Sequence, residues 1–506
     1  MTATASIGAG TAGGTDQPQL SKGALGLWDD TVIAVSSTAP AYSIATSLGA
    51  LVAAVGLAGP AAIWLGFIPV TGIAVAYYYM NRVEPPNCGA AYTWASKALH
   101  PSLGFLNGWI VIVTDVLFMS FAAPQAGAAT LQLLNAWNIT GIGGLDLTSS
   151  AWYSNYVTVV FGVLFLALVT YMVMVGIKVA ATFQWVLLAI EYLIVLAFSI
   201  IGFFKKGGSG FDLGWLNPGS MGGLKGVAAG VVIAVFFYWG WDTAANLNEE
   251  TEDGTENPGR AGIIGMFLLL VLFLIACISI QQVLTPAEIQ ANASTTLTAF
   301  ADKLVGQQWG SLAILAFLSS TVATLQTTLL PSVRTAFSMG RDGMLGPVWA
   351  KVSPVWHTPW IGTLLMGGIS ALIAIFSVKI GGLNAIVVSG VTSIGLLVAA
   401  YYGIVGISCT VFYRRELTKN LKGFIFAGVF PLASALTLFG LGFYLIYQDW
   451  TNSGALAFDA TNGKFQVVVP ALAILSGIPA LAYAYLRRHP KYLSMPTETA
   501  PANALG

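Results

Sequence analysis

The sequence predicts an all-α integral membrane protein with twelve transmembrane helices. Three observations carry that prediction. Of 506 residues, 56 % are hydrophobic and 8 % charged, where a soluble domain carries about 25 % charge. That is too little to coat the several domains a soluble chain of this length would form. The charges are also segregated: residues 31–80, 261–287, 304–333, 352–378, 380–413, 423–448 and 465–486 contain no Asp, Glu, Lys or Arg. Finally, these stretches exceed the ~18 apolar residues that read as a bilayer-spanning helix.

In chain order, the spans are expected at 28–52, 57–80, 103–134, 153–174, 180–204, 226–247, 260–283, 309–338, 359–378, 383–413, 423–447 and 465–486. Irregular backbone is costly in lipid, so the charged and Gly/Pro-rich segments between them are expected as loops or re-entrant stretches. Residues 1–24 are rich in Gly, Thr, Ala and Ser, without the basic start and apolar centre of a signal peptide. They are expected as a disordered tail, as is 489–506. With the N-terminus inside, the outer side carries Lys205, Lys206, Lys225, Lys303, Lys379 and Lys464, against fifteen of the 21 basic residues on the inner side. That excess places both termini in the cytoplasm of a cell membrane.

Two spans carry a break. The first contains Ser36-Ser37-Thr38-Ala39-Pro40, where proline removes a donor and disfavours helix in the residue before it. The sixth contains Phe236-Phe237-Tyr238-Trp239-Gly240-Trp241-Asp242-Thr243, a glycine and a carboxylate in an apolar run. Each break opens a block of five spans, 25–204 and 205–415, with 416–488 left for the last two. An odd number of spans per block inverts the second relative to the first, and paired interrupted helices in inverted repeats point to a transporter's central site.

Three segments resemble the amino acid–polyamine–organocation superfamily of permeases. They are Arg82-Val-Glu84-Pro85-Pro86-Asn-Cys-Gly89-Ala-Ala-Tyr92 with Gly104-Phe105-Leu-Asn-Gly108-Trp109, then Gly240-Trp-Asp242 through Glu249-Glu250 to Asn257-Pro258-Gly-Arg260, and Arg341-Asp342-Gly343-Met-Leu345 with Thr358-Pro359. Their order and spacing over roughly 25–490 match the family's. The resemblance implies the leucine-transporter-like 5+5 inverted repeat with discontinuous helices 1 and 6, alternating access around a mid-membrane site, and Phe236 as the aromatic that closes over substrate. The chain departs from the family where a Gly-Ser-Gly-like turn usually offers backbone donors to a substrate carboxylate. Pro40 offers none, and the position of a lysine used by some proton-coupled relatives falls at Glu191.

The residues themselves suggest a site. A broken helix exposes N–H groups at the start of its second half and carbonyls at the end of its first, which suit an anion and a cation respectively. Ser36, Ser37, Thr38 and Ala39 are expected as one wall, and Phe236, Tyr238, Trp239, Gly240 and Asp242 as the other. Asp115, Glu191 and Asp242 are acids inside apolar spans. Asp115 lies about twelve residues, or ~18 Å, into its helix, near the bilayer midplane. Such acids carry a proton or meet a cation, and Glu191 is the favoured proton carrier. For sodium as the coupling ion, Ser319, Ser320, Thr321 and Thr324 are the candidate ligands. The acidic run Glu249, Glu250, Glu252, Asp253 and Glu256 can latch to Arg82, Arg260 or Arg341.

The expected function is proton-coupled uptake of an amino acid or related amine. The alternatives are a polyamine or amine exchanger, a sodium-coupled symporter and, from another class, a channel. Lys plus Arg equals Asp plus Glu, 21 each, which gives nothing for nucleic acid to bind. Cys88, Cys277 and Cys409 fit no metal or disulfide spacing. The sequence has no H-E-x-x-H motif, nucleophile elbow or phosphate loop, so neither an enzyme nor a cofactor is expected.

Overall fold

The computed structural model describes residues 19–142, 145–146, 152–205, 208–293, 295–377, 383–457, 459, 461–488, 491–502 and 504–505. Among these, ten helical runs are long and apolar enough to cross a membrane. The count is eleven if the bent pair Gly223–Phe237 and Trp241–Leu247, at 41°, is taken as one more. The first run, Leu27–Asn81, has 55 residues, about 80 Å of helical rise and far more than one bilayer. It comprises α1 (Leu27–Ser37), α2 (Pro40–Val55) and α3 (Gly59–Asn81), with breaks at Ala39 and at Gly56, both at positive φ.

The further helices are α4 (Ala91–Ala98), α5 (Pro101–Ala136), α6 (Trp152–Val175), α7 (Ile177–Phe204), α8 (Gly223–Phe237), α9 (Asn257–Val283), α10 (Pro286–Ala291) and α11 (Thr296–Val305). They are followed by α12 (Gln307–Arg341), α13 (Trp360–Ser377), α14 (Leu383–Tyr413), α15 (Leu421–Gly423), α16 (Phe430–Asn452), α17 (Gly463–Leu475) and α18 (Gly477–Tyr483). A two-residue hairpin pairs Gly141–Ile142 with Leu145–Asp146. Of the expected tail at 1–24, residues 1–18 lie outside the described residues.

α5 and α12 are the longest single helices after the first run and pack against each other at the centre, with α1, α7 and α14 around them. Lipid offers no hydrophobic gain for packing helix on helix, so close approach relies on small residues. At the α5–α6 crossing, a Cβ on Gly127 would lie 1.8 Å from the Thr158 carbonyl oxygen, and one on Gly162 would lie 2.2 Å from that of Ala123. The two backbones therefore touch.

One face gathers the chain ends. Ala24 and Leu25 donate to the Glu250 carbonyl, and Glu252 donates back to Leu25. The expected disordered tail at 489–506 is different in the structure. Tyr492 is buried and stacks on Tyr92 at 5.0 Å. The N–H groups of Glu498 and Ala500 donate to the carbonyls of Lys97 and Phe412. An aromatic ring with a hydroxyl and a few backbone bonds anchors a segment whose polar composition alone reads as solvated. This face is called the termini face below; α10 and α11 mark the opposite one.

Replacing Gly127 by Val is expected to force α5 and α6 apart and to lower the melting temperature of the purified protein, or its folded yield, far more than Gly368→Val. A Cβ on Gly368 meets nothing within 4 Å. Equal melting temperatures for the two variants would contradict the packing described.

Candidate functional site

The break in the first helix is a backbone problem solved by two other helices. Thr38 is the last residue in helical geometry, Ala39 is left-handed at φ 49°, and Pro40 opens α2. A helix start needs acceptors for its first N–H groups, and Ser, Thr, Asp or Asn before it normally supplies one. Ala39 has only a methyl group. The acceptors come instead from far along the chain: Ala41 N–H donates to Glu191 Oε1 of α7 at 2.6 Å, and Tyr42 N–H donates to Ser320 Oγ of α12 at 3.2 Å. Ser320 Oγ–H donates in turn to Glu191 Oε1 at 2.8 Å. Glu191 is wholly buried, and among the described residues its second oxygen has no hydrogen-bond partner.

The two breaks touch. Gly240 sits at φ 118°, and a Cβ there would lie 2.5 Å from the Ser37 carbonyl oxygen, so the position requires glycine both for conformation and for space. The Ser37 and Thr243 hydroxyls pair at 2.9 Å, and Thr324 Oγ1 donates to the Ser37 carbonyl at 2.9 Å. Two residues on from Gly240, Asp242 is buried and receives three tyrosine hydroxyls, Tyr402 at 2.7 Å, Tyr401 at 3.1 Å and Tyr77 at 3.4 Å. Trp239 Nε1 donates to the Tyr401 oxygen at 2.7 Å. Asp115 is buried in α5, and among the described residues its Oδ2 has no hydrogen-bond partner.

A row of rings crosses the site towards the opposite face. Phe317 stacks on Tyr42 at 5.5 Å, Tyr42 meets Phe118 at 6.1 Å, Phe118 meets Trp239 at 5.0 Å, and Trp239 meets Phe236 at 6.4 Å. Beyond it lies a polar cavity lined by Gln125, Gln132, Thr295 and Thr298. Phe236 and Trp239 also line an apolar cavity against Val398, Leu438 and Leu441.

The predicted residues divide. Ser36, Ser37, Ala39, Phe236, Trp239, Gly240 and Asp242 lie at the meeting of the two breaks. Tyr238 does not: its ring packs between Phe67 and Phe273 and its hydroxyl donates to the Ile63 carbonyl at 3.2 Å, because successive residues of a helical turn point about 100° apart. Thr38 turns its hydroxyl back to the Ala34 carbonyl, and Ser36 Oγ is buried with no partner among the described residues. The four hydroxyls of α12 do not converge. Ser320 and Thr324 face the first break, Ser319 donates to the Leu187 carbonyl, and Thr321 donates to that of Phe317 in its own helix. Tyr77, Tyr401 and Tyr402 escaped sequence reasoning; the only signal was a Tyr-Tyr pair in an apolar span, which hydropathy reads as filling.

On the termini face, the acidic run after the sixth span finds its partners. Arg341 binds Glu249 with both terminal nitrogens at 2.5 and 2.8 Å, and Cys88 N–H donates to the same carboxylate. Glu256 pairs with Arg82 at 2.6 Å and with Arg260 at 3.2 Å. Arg334, which lies outside the expected set, pairs with Glu250 at 3.0 Å with both side chains fully buried. Tyr92 donates to Asp342 at 2.8 Å. The three motif segments thus close one face together. Burial pushes Glu249 upward, but the hydrogen bonds and charge of Arg341 outweigh it and hold its carboxyl below the usual range. A group lowered in this way contributes to closure above its ordinary pKa and loses that contribution only as pH falls through the depressed value. The latch therefore stays ionised from pH 5 to 8.

Discontinuous helices meeting inside a bundle of apolar spans, with a latched face on one side, define a membrane permease. Residues 25–478 match the family model described as amino acid permease, and the chain belongs to that family within the amino acid–polyamine–organocation superfamily; it is a transporter and not an enzyme. It is 28 % identical over 399 residues to the methylthioribose transporter of Bacillus subtilis, covering 76 % of this chain and 80 % of that one. It is 24 % identical over 426 residues to the low-affinity putrescine importer PlaP of Escherichia coli, covering 81 % and 87 %. It is also 24 % identical over 389 residues to the branched-chain amino acid permease BcaP of Bacillus subtilis, covering 74 % and 80 %.

Glu249→Gln is expected to weaken the latch, since it removes the charge and leaves one acceptor oxygen where Arg341 and Cys88 now use two. Cys88 is buried beneath it, so its labelling by a membrane-impermeant maleimide should rise severalfold in the variant. Unchanged labelling would show that Arg341–Glu249 does not hold the face closed.

Proposed function

We propose that this permease is a proton-coupled carrier that imports an amino acid or related amine by alternating access, with Glu191 as the proton carrier. The observation that supports this most is the Glu191 carboxylate, buried in α7 and bound through one oxygen to both α2 and α12. Bonds to an ionised acceptor are roughly twice as strong as neutral ones. A proton on the free Oε2 weakens the two bonds at Oε1 and loosens α2 from α7 and α12. Because α2 carries the aromatic row's Tyr42 and leads to the opposite face, protonation is coupled to movement of that side while the latch governs the other.

In this reading Leu27–Asn81 counts as two spans and the bent pair as one, which makes twelve. Residues 25–204 and 205–415 are the two inverted repeats of a leucine-transporter-like core, 416–488 adds two helices, and both termini are cytoplasmic in a cell membrane. Asp242 and Asp115 are the further acids of the site, each carrying a proton or meeting a cation. Relatives named for putrescine, for methylthioribose and for branched-chain amino acids leave the solute within small polar metabolites. Sodium coupling is the second reading, since Ser320 and Thr324 lie beside the first break; uptake that continues without sodium removes it. Saturable uptake with counterflow separates a carrier from a channel.

Glu191→Gln keeps an acceptor for Ala41 and Ser320 and removes the titratable group. In proteoliposomes its uptake is expected to be flat between pH 5 and 8 and undriven by an imposed pH gradient, while wild-type uptake follows the gradient. Proton-driven uptake in the variant equal to wild type would remove Glu191 from the mechanism.

A further inference from the structure

Residues 491–502 cross the termini face after the last apolar helix. Beyond Leu493 they read Ser-Met-Pro-Thr-Glu-Thr-Ala-Pro-Ala, with little apolar surface to bury. Their hold on the protein comes instead from a few specific contacts. The Glu498 N–H donates to the Lys97 carbonyl at 2.7 Å, and the Ala500 N–H donates to the Phe412 carbonyl at 2.9 Å. Lys97 stands next to last in α4 and Phe412 next to last in α14, where a helix has run out of its own donors. Two backbone bonds of the segment thus complete two helix ends that lie in opposite halves of the chain. The Glu498 carboxylate also meets the Lys97 ammonium at 3.7 Å. Further on, the Leu505 side chain lies against α15, where a Cβ on Gly423 would be 2.5 Å from its Cδ1.

The remaining contact reaches the latch. Tyr492 is buried, with its ring stacked on Tyr92 at 5.0 Å, and the Tyr92 hydroxyl donates to Asp342 at 2.8 Å. Tyr92 belongs to the first motif segment and Asp342 to the third, so opening of this face parts them. The stacked Tyr492 ring holds Tyr92 in the orientation that reaches Asp342, and the bonds at Lys97 and Phe412 tie the end of α4 to the end of α14. Between these anchors, residues 494–498 are exposed. A segment held by one ring and a few backbone bonds, with its own chain in solvent, belongs to the low end of local stability. It can lift while the helices beneath it stay folded.

We infer that residues 491–502 are a built-in restraint on this permease: docked, they hold the termini face closed and slow its opening, and lifted, they release it. The inference rests on the alternating-access reading above and adds a regulatory element to it.

The test uses the purified full chain. Tyr492→Ala removes the stacked ring, Ala500→Pro removes the N–H that Phe412 receives, and Tyr492→Phe keeps the stack. Maleimide labelling of Cys88, located by peptide mass, should rise about fivefold in each of the first two variants and stay near wild type in Tyr492→Phe. Cys277, buried in α9 towards the opposite face, should stay unlabelled in all of them. In proteoliposomes, initial uptake of leucine or putrescine should rise together with the labelling. Unchanged Cys88 labelling in both variants overturns the inference. Labelling of Cys277 alongside Cys88 also overturns it, since that marks a general loosening of the fold, as does raised labelling with reduced uptake, which makes the segment a part of the transporting fold. Raised Cys88 labelling with uptake that never saturates leaves the restraint standing and removes the carrier reading.

Discussion

A helix broken inside a membrane leaves backbone N–H groups that no water can reach, and each must be satisfied from within the protein. Here the break falls at Ala39-Pro40, where the local sequence supplies no capping side chain. The acceptors are Glu191 and Ser320, 150 and 278 residues away along the chain from the residues they serve. This one arrangement fixes where α2, α7 and α12 stand relative to each other. It also makes an ionisable group part of the scaffold. An uncharged acceptor would solve the backbone problem equally well, so the choice of a carboxylate is where structure passes into mechanism.

The rest of the molecule divides around that point. Towards the termini, the three segments that carry the family resemblance form a single closed face: Arg82 with Glu256, Glu249 with Arg341, and Tyr92 with Asp342. Isolated exposed ion pairs contribute little, but here Arg341 grips Glu249 through both terminal nitrogens and the Cys88 N–H joins the same carboxylate. The fully buried Arg334–Glu250 pair is different in kind. Removing either partner leaves an uncompensated charge, worth about 3–5 kcal/mol. Away from the termini, the packing is of rings, from Phe317 through Tyr42, Phe118 and Trp239 to Phe236.

Much of this was legible in the sequence, and for a physical reason. A bilayer imposes length and apolarity, so the helical runs fall within a few residues of the expected spans. Proline and a glycine–aspartate step cannot sit quietly in lipid, and both mark real breaks. The acidic run after the sixth span had to find cations, and Arg82, Arg260 and Arg341 were within its reach. What could not be read is direction. Tyr238 and Trp239 are neighbours in sequence and face different helices. Thr38 and Ser319 have the right chemistry but spend it on backbone carbonyls. Tyr77, Tyr401 and Tyr402 look like apolar filling until the fold brings their hydroxyls to Asp242. The C-terminal segment is polar, yet one stacked tyrosine holds it in place.

Whether Glu191 exchanges a proton while it holds the start of α2 is read from infrared difference spectra of the purified protein, taken across a drop from pH 8 to 5. A protonated-carboxyl band is expected to appear on acidification in wild type and to be missing from Glu191→Gln, together with an amide change that the variant lacks. Identical spectra from the two proteins would rule out proton exchange at Glu191.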